Sequence, residues 1–294
     1  MVKSRWKTAT KIAEHIPFVL FLWLMRLLPF NLRIKTGGVV VGALVAGLPK
    51  TKKRIANNLR LIYPDISDAE IGRMTKAVGR NFGRTFTELF FNETYGKRQH
   101  LFHASGPGFE ALQQAADAGR GAIVVTGHFG QWEAFRHYCK ARGILLGGVY
   151  RPNTNIYFDR VFLRELKKIG GPIFPSGRKG THDVLEYVKN GGMVVILTDQ
   201  RVPNAKKFDF LGHGAESSTV AAKIALKHDV PLIPVYGTRR DDSLDIDIAF
   251  EAPIPPSDAD TMTQAINDSL SARVREHPEQ WFWLHRRWGI LDQE

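Results

Sequence analysis

The sequence is nearly devoid of cysteine, with Cys139 the single example among 294 residues. One cysteine excludes an intramolecular disulfide and agrees with a reducing compartment. Cys139 lies inside a predicted helix, where a free cysteine usually packs as a small apolar side chain, so we assign it no catalytic role. The sequence also lacks an HExxH motif and cysteine ligands. Although His103, His128 and His137 are candidate ligands, we expect neither a metal nor a cofactor.

The sequence also lacks an apolar run of about 20 residues, the length that a membrane-spanning helix needs. Residues 16–30 contain twelve apolar side chains but also Arg26, and residues 38–47 form a second short run. These two runs are flanked on both sides by basic residues: Lys3, Arg5, Lys7, Lys11, Lys50, Lys52, Lys53 and Arg54. This pattern predicts an apolar helix that lies in the membrane interface, with residues 1–48 as a membrane-associating segment. A buried core helix and a signal peptide are the alternatives, although no A-x-A cleavage site follows the first run.

Acidic residues are fewer than basic ones, 29 against 41, which gives a formal net charge of +12. Such an excess favours an anionic partner: nucleic acid, an acidic membrane surface or an acidic carrier protein. We find no recognised nucleic-acid-binding module, and the apolar N-terminus argues against one, so we expect no nucleic acid partner.

The pattern of apolar residues changes along the chain. From residue 52 to about 95 it predicts helices, and Ser67 with Glu70 forms a capping-box pattern. After residue 105, predicted helices alternate with short apolar runs that predict buried strands at residues 122–126, 144–150, 193–198 and 231–237, and the strict alternation over residues 244–250 predicts a strand with one solvated face. The alternation of helices and strands predicts an α/β fold with a central, largely parallel sheet flanked by helices, formed by one domain over residues 49–294.

The stretch GHFGQWEAFR, residues 127–136, carries the candidate chemistry. His128 follows a predicted buried strand, and open α/β sheets build their sites at the carboxyl ends of strands. A neutral imidazole is a suitable base for a hydroxyl proton, and a carboxylate on its other nitrogen fixes the tautomer. Glu133 can supply that carboxylate if His128 lies in the turn and Glu133 in the first turn of the next helix. The alternative is an ordinary loop histidine beside a helix-capping carboxylate.

Several segments taken together resemble the lipid A biosynthesis lauroyl/myristoyl acyltransferases, a branch of the glycerolipid acyltransferase superfamily. The resemblance covers nearly the whole chain and includes RIANNLRLIYPDIS, the His128 motif, GVYRPNTN, VILTDQR and QWFWLHRRW. It implies transfer of a fatty acyl group from acyl carrier protein to a hydroxyl of a lipid A precursor. The implied place is the cytoplasmic face of the bacterial inner membrane.

The resemblance also implies roles for individual residues. His128 matches the motif base and Glu133 the motif acid. The implied substrate-binding positions are Arg151, Asn153, Arg164, Asp199 and Gln200, and Pro231 with Pro234 matches the last, proline-bearing motif. The two arginines could bind acceptor phosphates or stabilise the thioester oxygen, or lie on an ordinary charged surface. Asp199 could support the site or cap a helix, and the aromatic tail could face the membrane interface or the core.

The chain departs from the resemblance at FLGHGAESST, where Leu211, Gly214, Ser217 and Ser218 replace the residues usual in the family. This departure leaves the acyl chain and the acceptor open. A lysophospholipid, ornithine-lipid or glycolipid O-acyltransferase is the alternative within the same chemistry. A non-catalytic protein that binds lipid surfaces would need the basic, apolar N-terminus but not His128.

Overall fold

The computed structural model describes residues 2–289, with side chains from Thr10 onward in the first helix. The side chains of Lys3, Arg5 and Lys7 lie outside the described residues, as do residues 290–294. The helices are α1 Val2–Arg26, α2 Phe30–Gly47, α3 Pro49–Ile62, α4 Asp68–Phe90, α5 Asn92–Gly96, α6 Gly108–Asp117, α7 Ala134–Lys140, α8 Ile156–Ile169, α9 Arg178–Lys189, α10 Val220–His228 and α11 Ala259–Glu276. The strands are β1 Phe102–Ser105, β2 Ala122–Thr126, β3 Leu146–Tyr150, β4 Ile173–Pro175, β5 Met193–Leu197, β6 Lys207–Phe210, β7 His213–Glu216, β8 Leu232–Arg239 and β9 Ile246–Phe250.

Seven strands form the central sheet in the order β1-β9-β8-β2-β5-β3-β4. Neighbouring strands are parallel except for the antiparallel pair β8 and β9. The five residues of β2 are all buried, because its side chains meet α6 and α7 on one face and α9, α10 and α11 on the other. The predicted α/β fold with a mostly parallel sheet is confirmed. Strands β6 and β7 form a second, two-stranded antiparallel sheet.

Local signals in the sequence account for several of these elements. Ser67 caps α4: its hydroxyl accepts a bond from the Glu70 amide, and the Glu70 carboxylate accepts one from the Ser67 amide. In β9 buried and half-buried residues alternate, as predicted for a strand with one solvated face. Pro234 lies in β8 beside Val125 of β2. Cys139 is buried in the core, and burial raises the pKa of its thiol to about 12.

The N-terminal helices expose apolar side chains. The exposed ones recur every three or four residues along α1 and continue in α2: Ile12, Ile16, Val19, Leu20, Trp23, Leu24, Leu27, Leu32, Val39, Val40 and Leu44. No single helix within residues 2–289 has the length and apolarity to cross a bilayer. The pair α2 and α3 meets that criterion together, with a bend of 84° between them. The membrane-associating role of residues 1–48 stays a prediction.

Glycines bring α2 and α4 into backbone contact. A Cβ on Gly42 would lie 2.8 Å from the Arg80 amide nitrogen, and one on Gly79 would lie 2.7 Å from the Gly42 carbonyl oxygen. Both distances involve main-chain atoms, which cannot move aside as a flexible side chain would. The absence of side chains at these two positions therefore sets the separation between the N-terminal helices and α4.

We expect Gly42→Ala to lower the free energy of unfolding by about 1–3 kcal/mol, since the added methyl overpacks this contact. Gly72→Ala in α4 is the matched control, because a Cβ there has no heavy atom within 4 Å. Its higher helix propensity should raise stability by about 0.5–1 kcal/mol. Thermal unfolding of both variants in one detergent measures the difference. Equal melting temperatures would show that α2 and α4 are not held this closely.

Candidate active site

His128 and Asp199 meet at the carboxyl edge of the central sheet. They lie two residues beyond β2 and β5, which are parallel neighbours with Thr126 opposite Leu197. The Nδ1 atom of His128 is 2.9 Å from Oδ1 of Asp199, and the His128 amide donates to Oδ2 at 2.8 Å. The sheet therefore brings the His128 imidazole to a carboxylate that lies outside the segment GHFGQWEAFR.

Asp199 is buried and ionised. Its Oδ2 atom also accepts a bond from Trp281 Nε1 at 3.0 Å, so three N–H groups point at one carboxylate. Burial raises the pKa of the Asp199 carboxyl, but the charge and hydrogen bonds of His128 outweigh burial and hold that pKa below its usual range. The stabilisation by this carboxylate is thus present near neutral pH and is lost as pH falls below about 4.

The C-terminal segment completes the site. The Phe282 amide donates to the His128 carbonyl oxygen at 2.9 Å, and Nε2 of His285 is 3.1 Å from His128 Nδ1. Trp281 and Trp283 are fully buried, so within the described residues the aromatic tail belongs mainly to the core. The tail was part of the resemblance, but His285 was not among the predicted site residues. A signal was present in the sequence, because QWFWLHRRW places a histidine among three tryptophans.

The turn after β2 is held in an unusual backbone conformation. Gly130 has φ of 53°, and a Cβ there would lie 2.0 Å from the Gly237 carbonyl oxygen, so only glycine fits. The carbonyl of Gly130 accepts a bond from the Thr85 hydroxyl at 2.9 Å, and its amide donates to Gln280 at 2.9 Å. Helix α4, β8 and the C-terminal segment therefore fix the turn that carries His128.

A buried ion pair anchors α4 beneath this turn. Glu88 and Arg239 form two hydrogen bonds, of 2.9 and 2.7 Å, with both side chains almost fully buried. Glu88 also accepts a bond from Gln131 of the turn at 3.0 Å. Burial lowers the pKa of Arg239, but the Glu88 charge outweighs it and the net pKa is raised, so the guanidinium stays charged.

Glu133 has a different partner from the predicted one. It lies at the start of α7, and its carboxylate accepts a bond from Arg136 at 2.7 Å, with both side chains buried. Arg136 also donates to the carbonyl oxygens of Leu146 and Gly170. The pair ties α7 to β3 and to the end of α8, while Asp199 takes the place on His128 that was predicted for Glu133. A catalytic role of Glu133 stays a prediction.

The four remaining predicted residues are all exposed. Arg151 and Gln200 are exposed just beyond β3 and β5, at the same edge of the sheet as His128. Asn153 is exposed and bonded to Asp159, and Arg164 points outward from α8 near Glu165. The structure thus brings together two of the seven predicted residues, His128 and Asp199, in direct contact.

His128, Asp199 and His285 are also a group whose ligand atoms all lie within 4.8 Å of one another. The nitrogen–oxygen and nitrogen–nitrogen separations of 2.9 and 3.1 Å are hydrogen-bond distances. Three N–H donors already point at the carboxylate, so we interpret the group as a hydrogen-bonded base and not as a metal centre.

Comparison with known proteins identifies the family. The profile of the bacterial lipid A biosynthesis acyltransferases matches residues 6–289. The chain belongs to this family. This acyltransferase is 26% identical to the lipid A biosynthesis lauroyltransferase of Escherichia coli K12, over 90% of the chain and 88% of that protein. It is 22% identical to the lipid A biosynthesis acyltransferase of Haemophilus influenzae, over 90% of the chain and 84% of that protein. It is 24% identical to the phosphatidylinositol mannoside acyltransferase of Mycolicibacterium smegmatis, over 60% of each chain.

Proposed function

We propose that this acyltransferase moves a fatty acyl group from an acyl carrier protein thioester to a hydroxyl of a lipid A precursor. The proposed place is the cytoplasmic face of the bacterial inner membrane. The observation that carries the proposal is the His128 imidazole, which Asp199 holds at the carboxyl edge of the sheet with one-fifth of its side chain exposed. Membership of a family of lipid acyltransferases supports the same reaction class.

In the proposed mechanism, Nε2 of His128 removes the proton from the acceptor hydroxyl while Nδ1–H donates to Asp199. The hydroxyl oxygen attacks the thioester carbonyl carbon, and the C–O bond forms as the carbonyl oxygen gains negative charge. Collapse of this intermediate breaks the C–S bond, and the proton on His128 passes to the leaving thiolate. The buried Asp199 carboxylate stabilises the imidazolium between these two proton transfers.

A row of phenylalanine side chains offers a path for the acyl chain. Phe282 lies 6.0 Å from the His128 ring and 4.7 Å from Phe82, measured between ring centroids. The row continues through half-buried rings to α1 and α8: Phe86, Phe18, Phe158 and Phe162. Phenylalanine rings carry no polar group, so their packed faces and edges leave an apolar surface that suits a hydrocarbon chain. We propose that the acyl chain lies along this row, from His128 toward the N-terminal helices.

Changing the size of Phe86 should therefore change the preferred chain length. We expect Phe86→Trp to favour shorter donors and Phe86→Ala longer ones. Each methylene gained or lost from the row changes transition-state binding by about 0.8 kcal/mol, roughly fourfold in kcat/KM. Competition between acyl donors that differ in two-carbon steps measures the shift. Phe109→Trp is the control, because Phe109 packs against Tyr138 and Phe250 away from this row. An unchanged order of donors in both Phe86 variants would contradict the proposed path.

The exposed apolar face of α1 and α2 supports association with a membrane surface. Trp23 and Leu27 are more than half exposed, and Arg26 and Lys35 supply positive charge beside the same face. Such a face gains free energy by entering the boundary between headgroups and acyl chains. The double variant Trp23→Glu/Leu27→Glu should lose binding to anionic vesicles in a flotation assay. Retained binding would argue against this face as the membrane contact.

The donor and the acceptor need separate tests. A net charge of +12 favours an acidic carrier protein as the source of the thioester, and coenzyme A is the alternative. Similarity to a phosphatidylinositol mannoside acyltransferase makes another glycolipid the second candidate acceptor. Mass spectrometry of lipids from a deletion strain distinguishes the acceptors. Lipid A lacking one acyl chain supports the proposal, whereas intact lipid A with another glycolipid lacking one acyl chain favours the second candidate.

A further inference from the structure

We propose that His285 is a positioning residue for the reaction: it accepts a second hydrogen bond from Nδ1–H of His128 and so fixes the tautomer and angle of the base. The proposal rests on the proposed role of His128 in acyl transfer. It concerns a residue of the C-terminal segment that lies more than 150 positions from His128 in the sequence, and that contacts it directly.

The geometry allows only one useful arrangement of protons. Nδ1 of His128 lies 2.9 Å from Asp199 Oδ1 and 3.1 Å from His285 Nε2. For Nε2 of His128 to accept a proton from substrate, Nδ1 must carry the hydrogen. With that hydrogen in place, Nδ1 can no longer accept a bond, so the His285 nitrogen at 3.1 Å must be the acceptor of this pair. A hydrogen on His285 Nε2 would point at the hydrogen on His128 Nδ1 and be repelled by it. Asp199 could not accept it instead, because Nε2 of His285 is 3.8 Å from Asp199 Oδ2, which is too far for a hydrogen bond.

The surroundings of His285 keep it neutral. Burial lowers the pKa of His285 to about 4, against the attraction of Asp199 and with further lowering by His128, Arg287 and Arg54. Arg287 lies in the same buried region, bonded to the Glu216 carbonyl and to the Ser217 hydroxyl. A neutral imidazole can accept the bond, whereas a protonated one would repel the imidazolium that forms on His128. Two histidines in contact thus have unequal tasks, one a base and the other an acceptor.

The backbone places His285 independently of this bond. Phe282 donates its amide to the His128 carbonyl, and Phe129 and Trp281 form an antiparallel bridge, so the C-terminal segment runs beside the turn that holds His128. Nδ2 of Asn58 in α3 donates to the Trp283 and His285 carbonyl oxygens at 2.8 and 2.9 Å. The His285 ring also packs edge to face on Phe282, with centroids 4.8 Å apart. The ring is therefore held at a defined position whether or not His128 is present.

Two substitutions test the role of the acceptor nitrogen. His285→Phe keeps an aromatic ring on Phe282 but removes the nitrogen, and His285→Gln keeps a polar acceptor at a similar distance from the backbone. We expect His285→Phe to lower kcat about 10- to 100-fold and to leave KM little changed. This loss is smaller than the full contribution of a general base, because His128 itself remains in place. We expect the acid limb of its pH–rate profile to move to lower pH, because the imidazolium loses an acceptor. His285→Gln should retain most of kcat and the original limb.

The control is His103→Phe, which removes another histidine–carboxylate contact, to Asp245, on strand β1. It should leave kcat and the pH profile unchanged. The proposal is overturned if His285→Phe retains kcat, or if the Phe and Gln variants lose it equally with an unmoved acid limb. Wild-type enzyme inactive with every donor and acceptor would instead refute the proposed function. Active wild type with an unaffected His285→Phe variant would refute only the role of His285.

Discussion

Replacing His128 with alanine is expected to lower kcat for acyl transfer by about 10²- to 10⁴-fold, the contribution of a positioned general base. The substitution removes the atom that accepts the substrate proton and leaves the buried Asp199 carboxylate facing a gap. Rates of transfer from an acyl thioester to the lipid acceptor, measured with saturating donor, provide the test. Binding to vesicles should persist, because the exposed apolar face of α1 and α2 does not include this residue.

The matched control is His182→Ala, because His182 is exposed in α9 and is not one of the residues of the site. It should keep full activity. Activity of His128→Ala within about tenfold of the wild type would remove His128 from the mechanism, since positioned bases contribute more than that. If His128→Ala loses thermal stability as well as turnover, His128→Gln is measured next. Glutamine keeps a polar side chain of similar length, so this variant separates an effect on the reaction from an effect on folding.

Patterns of short range predicted much of the fold. A continuous apolar run predicted β2 to the residue, and the Ser67–Glu70 pair predicted the start of α4, because both signals depend on neighbouring residues alone. Short edge strands were missed. Strand β4 has three residues and β1 four, and neither has enough alternation to stand out from a loop. The hairpin of β6 and β7 was hidden for the same reason.

The site required contacts between distant residues. His128 was found because glycine, a buried strand and a helix signal surround it within ten residues. Its carboxylate was assigned to Glu133 by proximity in sequence, yet Asp199 lies opposite because β2 and β5 are neighbours in the sheet. Strand order cannot be read from the pattern of apolar residues, so the spacing could not distinguish the two acids. His285 depends on a third long-range pairing, between the C-terminal segment and the turn.

Substitutions of Glu133 and of Asp199 are therefore expected to have different effects on kcat, and Asp199→Asn is expected to have the larger one. The carboxylate accepts three N–H donors, two of them at Oδ2. An asparagine satisfies the two donors at Oδ2 only by placing its carbonyl oxygen there, which turns its amide group toward His128 Nδ1. That amide donates, so it selects the tautomer with hydrogen on Nε2, in which His128 cannot accept a proton. We expect kcat to fall about 10²- to 10⁴-fold.

Glu133→Gln should behave differently, since its amide oxygen can still accept the bond from Arg136 and the start of α7 keeps its place. We expect kcat within about tenfold of the wild type, because the Glu133–Arg136 pair stabilises the fold and takes no part in proton transfer. Removing the charge of one partner of a buried pair should lower the free energy of unfolding by at most about 3–5 kcal/mol. Steady-state kinetics and thermal unfolding of both variants under one set of conditions separate the two effects. A larger loss of kcat in Glu133→Gln than in Asp199→Asn would support the predicted contact between His128 and Glu133. It would mean that the carboxylate bonded to the imidazole in this structure is not the one that stabilises the imidazolium during turnover.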